Sequence, residues 1–182
     1  MIYLFLADGF ETVEALCPLD ILRRAGMDVK TVGVTGESVK SRQNVTVLAD
    51  MRLDEIPDEL PEMIILPGGI PGADNLAASE KLMTLIPEWA ERGSYVTAIC
   101  AAPYILGELG LLRGKRATCY PDQRYIDKLQ GAQYISESVV RDGKIITGKA
   151  MGAALDFALE LASALCGREK AESISRSVCH DS

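Results

Sequence analysis

The sequence predicts a single α/β domain, built on a mostly parallel β-sheet with helices on both faces. Short apolar segments rich in β-branched residues, at 1–6, 62–67 and 95–99, are typical of buried parallel strands. Segments with helical periodicity separate these strands, as the crossover connections of a parallel sheet require. The chain of 182 residues is long enough for one well-packed domain, so we expect residues 1–182 to form one unit.

Turn-forming residues and apolar periodicity indicate where the helices and strands lie along the chain. Thr12 is placed to cap the first long helix and Ser79 to cap the second. Two short strands on either side of Arg42 predict a small β-hairpin excursion from the main sheet. The predicted strands lie at 1–6, 27–34, 39–41, 45–49, 62–67, 95–99, 116–119, 139–140 and 144–147, and the predicted helices at 12–25, 79–92, 101–108, 122–130 and 151–166. Residues 168–182 are expected to form an exposed helical end or tail.

Composition and charge narrow the classes of function. The hydrophobic fraction of 48% and the charged fraction of 25% are those of an ordinary soluble globular protein. A net charge of −7 without any basic block argues against nucleic acid and anionic membrane surfaces as partners. No apolar segment approaches the roughly 20 residues that cross a bilayer, and the apolar start at 1–6 lacks the basic residues of a signal peptide.

Five cysteines and one histidine restrict the chemistry. The odd number and wide spacing of the cysteines favour a reducing cytoplasm over a disulfide framework, and no Cys-x-x-Cys pair points to a metal site. The glycines at 68–72 lack the spacing of a dinucleotide or nucleotide-phosphate loop, so no cofactor is expected. The single histidine, His180, is third from the end, and the cysteines are Cys17, Cys100, Cys119, Cys166 and Cys179.

Cys100 stands at the junction between a predicted buried strand and a predicted helix. The small residues Ala101 and Ala102 allow a sharp turn there, which would hold the cysteine on a strained corner. The start of a helix would also shift the thiol towards thiolate. The alternative is a plain packing cysteine, since free cysteine is among the most buried residue types.

Three loops are expected to meet at the carboxyl ends of the parallel strands, at 8–14, 68–72 and 100–102. Glu14 then lies close enough to Cys100 for its carboxyl, with a pKa raised by burial, to donate a hydrogen bond to the sulfur. The backbone amides of Gly69 and Ala101 are placed to form an oxyanion hole. The alternatives are a solvated first-turn acid at Glu14 and a tight turn at the glycines.

Two arginines lie close to these loops in the sequence. Arg24 ends the first helix and Arg42 lies in the predicted hairpin. Either side chain is placed to bind backbone carbonyls or an anion near the pocket, and the alternative is a role in surface solubility.

Five blocks of sequence carry a resemblance to a known family: Asp8–Glu14, Arg23–Gly26, Leu66–Gly69, Ala98–Ala102 and Gly148. Together, from about residue 1 to residue 167, they resemble the ThiJ/PfpI superfamily, in the branch of the parkinsonism-associated deglycase and its bacterial relatives. The resemblance implies a flavodoxin-like three-layer sandwich that forms a homodimer and needs no cofactor.

The same resemblance implies roles for individual residues. Cys100 matches the reactive, oxidation-prone thiol and Glu14 its protonated partner, while Gly69 and Ala101 match the amides of the oxyanion pocket. Arg24 and Arg42 match positions that join the dimer close to the cysteine. The activities implied are conversion of 2-oxoaldehydes to hydroxy acids and deglycation of glycated amines. Redox sensing and chaperone-like protection within a stress response are implied as well.

One position departs from the family pattern. Where several members have a histidine before proline, this chain has Tyr120 before Pro121. A phenol with a pKa of about 10 does not exchange protons at neutral pH as an imidazole of about 6.5 does, so weak glyoxalase activity is expected. Three hypotheses follow: a cysteine-dependent enzyme acting on small aldehydes or glycated substrates, a non-catalytic redox sensor, and a chaperone-like dimer.

Overall fold

A seven-stranded sheet forms the centre of the computed structural model, which describes residues 1–180. From edge to edge its strands are β10 (Val139–Asp142), β11 (Ile145–Gly148), β7 (Tyr95–Ile99), β6 (Met63–Leu66), β1 (Ile2–Leu6), β2 (Val29–Gly33) and β5 (Met51–Arg52). All neighbouring strands are parallel except β10, which runs antiparallel to β11. The predicted α/β class and mostly parallel sheet are confirmed.

Helices cover both faces of the sheet, as in a flavodoxin-like sandwich. One face packs against α1 (Thr12–Arg24), α6 (Ala154–Cys166) and α7 (Arg168–Ser177). The other packs against α2 (Gly72–Ala77), α3 (Glu80–Glu91), α4 (Pro103–Glu108) and α5 (Gln123–Ile126). The period-two alternation of strands divides the core accordingly: in β1, Tyr3 and Phe5 face the second set of helices, and Leu4 and Leu6 face the first.

Two small sheets lie outside the central one. The predicted hairpin excursion is confirmed as the antiparallel pair β3 (Ser38–Lys40) and β4 (Thr46–Leu48). A second pair, β8 (Arg116–Ala117) and β9 (Gln133–Tyr134), is parallel. The hairpin is tied to the loop after β1, because Gly9 N–H donates to Lys40 O at 2.7 Å and Arg42 N–H to Phe10 O at 2.9 Å. These two bonds place Arg42 beside the loop that leads into α1.

Several helix boundaries in the structure differ from the predicted ones. Thr12 is the first residue of α1 rather than its cap, and Glu11 occupies the cap position without a side-chain hydrogen bond. Ser79 caps α3 as predicted, accepting from Leu82 N–H at 3.4 Å. Helix α4 begins at Pro103 rather than at 101, because residues 101–102 are used by the turn. The predicted helix at 122–130 is α5 followed by a 3₁₀ turn at Asp127–Leu129, and the one predicted to start at 151 begins with a 3₁₀ turn at Met151–Ala153.

The segment predicted as an exposed helical end or tail is helical but packed. Helix α7 buries Ala171 and Ile174 against the face formed by α1 and α6. Its end is held by Ser175, whose hydroxyl donates to His180 O at 2.7 Å, and by the contact of His180 Nε2 with Asp156 Oδ1 at 2.9 Å. The predicted segment extends to residue 182, and its last two residues lie outside the described part.

The order of the strands locates the candidate site. From β1 the chain moves to β2 on one side, and later to β6 on the other, so the connections diverge between β1 and β6. A crevice opens at the carboxyl ends of strands where connections diverge in this way. The loops after β1, β6 and β7 meet there. Within residues 1–180, none of the helices is both long and apolar enough to span a membrane.

Candidate active site

A cavity of about 510 Å³ lies at the carboxyl ends of β1, β6, β7 and β11. Of the residues predicted for the site, six line this cavity: Glu14, Arg42, Gly69, Cys100, Ala101 and Tyr120. The seventh, Arg24, does not. It lies at the exposed end of α1, where its Nε donates to Asp20 Oδ2 at 2.7 Å. Its role at a dimer interface stays a prediction.

Cys100 occupies the strained corner that the sequence predicts. Its φ of 65° lies in the left-handed region, which non-glycine residues seldom adopt. Backbone hydrogen bonds hold it there: its N–H donates to Gly148 O at 2.9 Å, and its carbonyl accepts from Tyr120 N–H at 2.7 Å. The side chain at this corner is partly exposed to the cavity, whereas Ala101 and Ala102 are buried.

Gly68 makes the contact between Glu14 and Cys100 sterically feasible. A Cβ at this position would lie 2.6 Å from Glu14 Oε2 and 2.8 Å from Cys100 Cβ, both too close for any side chain. Its N–H donates to Glu14 Oε2 at 3.0 Å, so the backbone also orients the carboxyl. The sequence assigns Gly68 and Gly69 to a turn that either presents an amide to an oxyanion or is simply tight. The structure shows that Gly68 is also a positioning residue for Glu14.

Gly69 and Ala101 turn their backbone amides towards the Cys100 sulfur, and both hydrogen bonds lower the pKa of the thiol. Gly69 has a φ of 90°, and a Cβ there would lie 2.5 Å from both Glu11 N and Gly9 O. Only glycine therefore fits. Two amide donors at one point can stabilise a negative charge on the sulfur or on an oxygen bound to it.

Glu14 is a buried carboxyl with only 1% of its surface exposed. Burial raises its pKa to about 7, and the charge of Glu11 adds to the increase. The hydrogen bond with Cys100 and the amides of Gly68 and Met151 act in the opposite direction without cancelling the effect of burial. The raised pKa predicted for Glu14 is confirmed. At neutral pH this carboxyl both gains and loses a proton readily.

Cys100 does not have the acidic thiol that the sequence predicts. Burial raises its pKa above the usual value, and the charge and hydrogen bond of Glu14 raise it further. The amides of Ala101 and Gly69 lower it by less. Helix α4 contributes little because it has six residues and begins three positions after the cysteine. Cys100 and Glu14 therefore titrate as a pair, whose first proton leaves at about pH 7.

Charged and aromatic side chains complete the cavity wall. Glu11 and Arg42 line one side, whereas Tyr120, Arg124 and Tyr125 line another. The rings of Tyr120 and Tyr125 meet edge to face with centroids 6.1 Å apart, and Arg124 Cζ lies 5.6 Å from the centre of the Tyr125 ring. Sequence reasoning missed Glu11, Arg124 and Tyr125. Only the nearness of the last two to Tyr120 in the chain pointed towards them.

The other cysteines differ from Cys100 in their surroundings. Cys119 is buried, and its pKa is raised by burial alone, to about 12. Cys17 and Cys166 are partly buried in the core on the α1 and α6 side, as expected of packing residues. Cys179 is exposed. Among residues 1–180, no group of three His, Cys, Asp or Glu side chains is arranged to hold a metal ion.

Comparison with known proteins agrees with this geometry. The protein dj-1beta of Drosophila melanogaster is 34% identical over 173 residues, covering 94% of this chain and 92% of that protein. A glutathione-independent glyoxalase of Caenorhabditis elegans is 32% identical, covering 93% and 90%. The crystal structure of a DJ-1 superfamily protein from Salmonella typhimurium superposes with a TM-score of 0.94 at 33% identity, covering 100% of this chain and 98% of that one.

The family comparison spans the elements that build the site. The DJ-1/PfpI family description matches residues 1–164, which include Glu14, Gly68, Gly69, Cys100 and all seven strands of the central sheet. This agrees with the resemblance carried by the five sequence blocks. The chain belongs to the DJ-1/PfpI family.

Proposed function

We propose that this protein converts small 2-oxoaldehydes to 2-hydroxy acids without a cofactor, with Cys100 as nucleophile and Glu14 as acid and base. The observation that supports this most is the hydrogen-bonded pair of Glu14 and Cys100 beside two amide donors in one cavity. A carboxyl with a pKa of about 7 is suited to general acid–base catalysis at neutral pH. The similar protein of Caenorhabditis elegans is named as a glyoxalase that is independent of glutathione.

The first step forms a carbon–sulfur bond. With one proton already lost from the pair, the Glu14 carboxylate takes the thiol proton as Cys100 sulfur attacks the aldehyde carbon. The aldehyde oxygen becomes an alkoxide, which the amides of Gly69 and Ala101 stabilise. Glu14 then returns the proton to this oxygen, which gives a neutral hemithioacetal and restores the carboxylate. In this way the raised pKa of Cys100 is overcome by Glu14, which acts as its base.

The second step moves hydrogen between the two carbons. The Glu14 carboxylate removes the proton from the carbon that bears sulfur, and an enediolate forms with its charge on the oxygen of the adjacent ketone. Glu14 then gives that proton to the neighbouring carbon, while the hydroxyl on the carbon that bears sulfur passes its proton to the enediolate oxygen, which leaves a thioester on Cys100. Water hydrolyses the thioester and releases the hydroxy acid and the thiol. The sum is addition of one water to the 2-oxoaldehyde, so neither an oxidant nor a reductant is needed.

The test is conversion of methylglyoxal to lactate, with a glycated amine assayed in parallel for deglycation. We expect slow turnover by the wild type and none above background by Cys100→Ala. The matched control is Cys119→Ala, a buried cysteine without an acidic partner, which should stay within about twofold of the wild type. Wild-type turnover no higher than that of Cys100→Ala would rule the proposal out.

A second function, as a sensor of peroxide, is supported by a separate observation. The amides of Gly69 and Ala101 point at the Cys100 sulfur, where they would hold the oxygens of a sulfenate or sulfinate. After mild peroxide treatment, intact mass should increase by about 32 Da in the wild type and Cys119→Ala, and not in Cys100→Ala. Oxidation spread evenly over the five cysteines would contradict this role. Location in the cytoplasm stays a prediction from the free cysteines.

A homodimer is also proposed. Three large apolar side chains are exposed at the start of α1 and on the β3–β4 hairpin: Val13, Val45 and Leu48, the last with 69% of its surface accessible. Exposed apolar side chains on the hairpin that carries Arg42 fit the dimer contact that the family resemblance implies. Light scattering should give twice the chain mass for the wild type and the single mass for Leu48→Asp. A monomeric wild type would refute the dimer, and with it the chaperone-like dimer.

A further inference from the structure

Tyr125 presents a phenol to the same cavity as Cys100, and its position is set through the main chain. From the Cys100 carbonyl, a chain of backbone hydrogen bonds leads to it: Tyr120 N–H donates to Cys100 O at 2.7 Å, Asp122 N–H to Tyr120 O at 2.8 Å, and Tyr125 N–H to Asp122 O at 2.9 Å. The phenol therefore has a fixed place relative to the reactive sulfur.

The ring of Tyr125 is held on two sides. Tyr120 packs against it edge to face, and the Arg124 guanidinium lies over it. Arg124 is in turn fixed by Asp122, which accepts from Arg124 Nε at 3.0 Å and from its Nη2 at 2.9 Å. A group held in this way is oriented before a substrate arrives, which is what electrostatic catalysis requires.

The hydroxyl of Tyr125 is free to bind a ligand. Within residues 1–180 it has no hydrogen-bond partner, in contrast to the neighbouring Tyr104, whose hydroxyl donates to Asp74 Oδ1 at 3.0 Å. Tyr125 and Cys100 line the same cavity, so the phenol and the sulfur face one space. Burial raises the pKa of Tyr125 more than the charge of Arg124 lowers it, so the phenol keeps its proton and remains a donor at neutral pH.

We infer that Tyr125, rather than Tyr120, is the hydrogen-bond donor that stabilises the enediolate formed on Cys100. This inference rests on the proposed glyoxalase function and adds a third catalytic residue to it. Tyr120 is 43% exposed at the rim, whereas Tyr125 is only partly exposed and packs against the core. A donor in the less hydrated position stabilises a developing charge more strongly.

With Tyr125 as the hydrogen-bond donor, every proton of the reaction can be accounted for. As Glu14 removes the proton from the carbon bonded to sulfur, the oxygen of the adjacent ketone becomes negatively charged and accepts a hydrogen bond from the Tyr125 phenol. Glu14 then delivers the carbon proton to that second carbon. The hydroxyl on the carbon bonded to sulfur passes its proton to the former ketone oxygen as the thioester forms. Both side chains end in their starting states, and the ketone oxygen has become the hydroxyl of the hydroxy acid.

Substitution of the phenol tests the assignment, with Tyr120→Phe as the matched control. Tyr125→Phe keeps the ring contacts and should lower kcat for methylglyoxal by roughly 10²–10³-fold with KM changed less than about threefold, the loss typical of one oxyanion donor. Tyr120→Phe should lower kcat by a clearly smaller factor, because its hydroxyl lies at the more hydrated rim. Equal rates for Tyr125→Phe and Tyr120→Phe would overturn the inference.

A second measurement does not depend on turnover. Acetohydroxamate mimics the charge and shape of an enediolate, and its binding is measured by protection of Cys100 from iodoacetamide. Tyr125→Phe should weaken this binding by about tenfold. If the rate of Cys100 alkylation without ligand is the same in this variant as in the wild type, a purely structural role of Tyr125 would not explain the loss of binding. A wild type without turnover whose hydroxamate binding depends on Tyr125 would refute the proposed function and retain the donor role. Unchanged binding in Tyr125→Phe would refute the donor role itself.

Discussion

Two walls of the same cavity are built in different ways. The backbone wall, formed by Gly68, Gly69, Cys100 and Ala101, places amides and a strained corner against Glu14 and leaves no space for a Cβ at either glycine. The tyrosine wall, formed by Tyr120, Arg124 and Tyr125, is built from side chains that reach the cavity rim. The first wall tolerates almost no substitution, whereas the second can change without moving the first.

The two walls of the cavity have different roles. The backbone wall and Glu14 supply the nucleophile, the base and the amide donors, all of which act on the reacting atoms themselves. The tyrosine wall decides which further donors and charges a substrate meets. We therefore expect substitutions in the backbone wall to cause large losses of turnover, and those in the tyrosine wall other than at the donor Tyr125 to change rate or preference by smaller factors.

Among the variants that keep the Cys100 thiol, Glu14→Gln gives the largest expected loss of turnover. The amide keeps the shape of the carboxyl, but it neither accepts the Cys100 proton nor carries a proton between carbons. Methylglyoxal turnover should fall by roughly 10²–10⁴-fold, the usual contribution of general acid–base catalysis. Glu11→Gln removes a neighbouring carboxylate of the cavity and serves as the control. If the two variants lost activity equally, Glu14 would have no special role.

Glu14 should also make stability depend on pH. Below pH 4.5 the carboxyl is protonated in both folded and unfolded chains, whereas between 4.5 and about 7 only the unfolded chain has released the proton. The unfolding free energy should therefore fall by roughly 3 kcal/mol from this group as pH rises through that range, and stay level just above it. Urea unfolding at several pH values should show this fall in the wild type and in Glu11→Gln, and not in Glu14→Gln. Identical profiles in all three would contradict the raised pKa.

Gly68→Ala breaks the backbone wall by adding one methyl group. The new Cβ would collide with Glu14 Oε2 and Cys100 Cβ, so the variant should lose about 1–3 kcal/mol of stability through overpacking. The displacement of Glu14 should lower turnover by about 10²-fold. Gly152→Ala is the matched control, since a Cβ there meets no atom within 4 Å, and its melting temperature should equal that of the wild type. Equal stability of the two variants would show that the wall is less rigid than the distances imply.

Asp122→Ala disturbs the tyrosine wall by the smallest amount. It removes the cap of α5, where Asp122 Oδ1 accepts from Arg124 N–H at 2.9 Å, and it releases the Arg124 side chain. Stability should fall slightly, because the helix loses its cap. Turnover should fall less than in Glu14→Gln, because the carboxyl and the thiol stay in place. A loss of activity as large as that of Glu14→Gln would mean that the two walls are not independent.

The backbone wall was the more predictable of the two. An apolar strand followed directly by Cys100, Ala101 and Ala102 indicates a sharp corner, and glycines after the next strand indicate a tight turn beside it. These are local signals, and the parallel sheet brings them together. The short strands β5 and β9 could not be predicted in this way, because a strand of two residues is too short to show an apolar periodicity.

Two features of the site could not be predicted from local sequence patterns. The pKa of Cys100 reflects how deeply the fold buries it and how close Glu14 lies, and these effects exceed that of the short helix α4. Tyr125 belongs to a helix of only four residues, and its place is fixed by main-chain hydrogen bonds that any residue can make. The pattern of side chains therefore offered no means to assign it to the cavity.

The bond between the Tyr120 amide and the Cys100 carbonyl has a consequence for how such sites diversify. Because it uses main-chain atoms only, the residue type at position 120 can change while the loop remains attached to the catalytic corner. A histidine, a tyrosine or another side chain can thus be exchanged there without rebuilding the nucleophile. Positions 120 and 124 form a small surface on a frame held by main-chain hydrogen bonds, and they are where a library for altered substrate preference should be made.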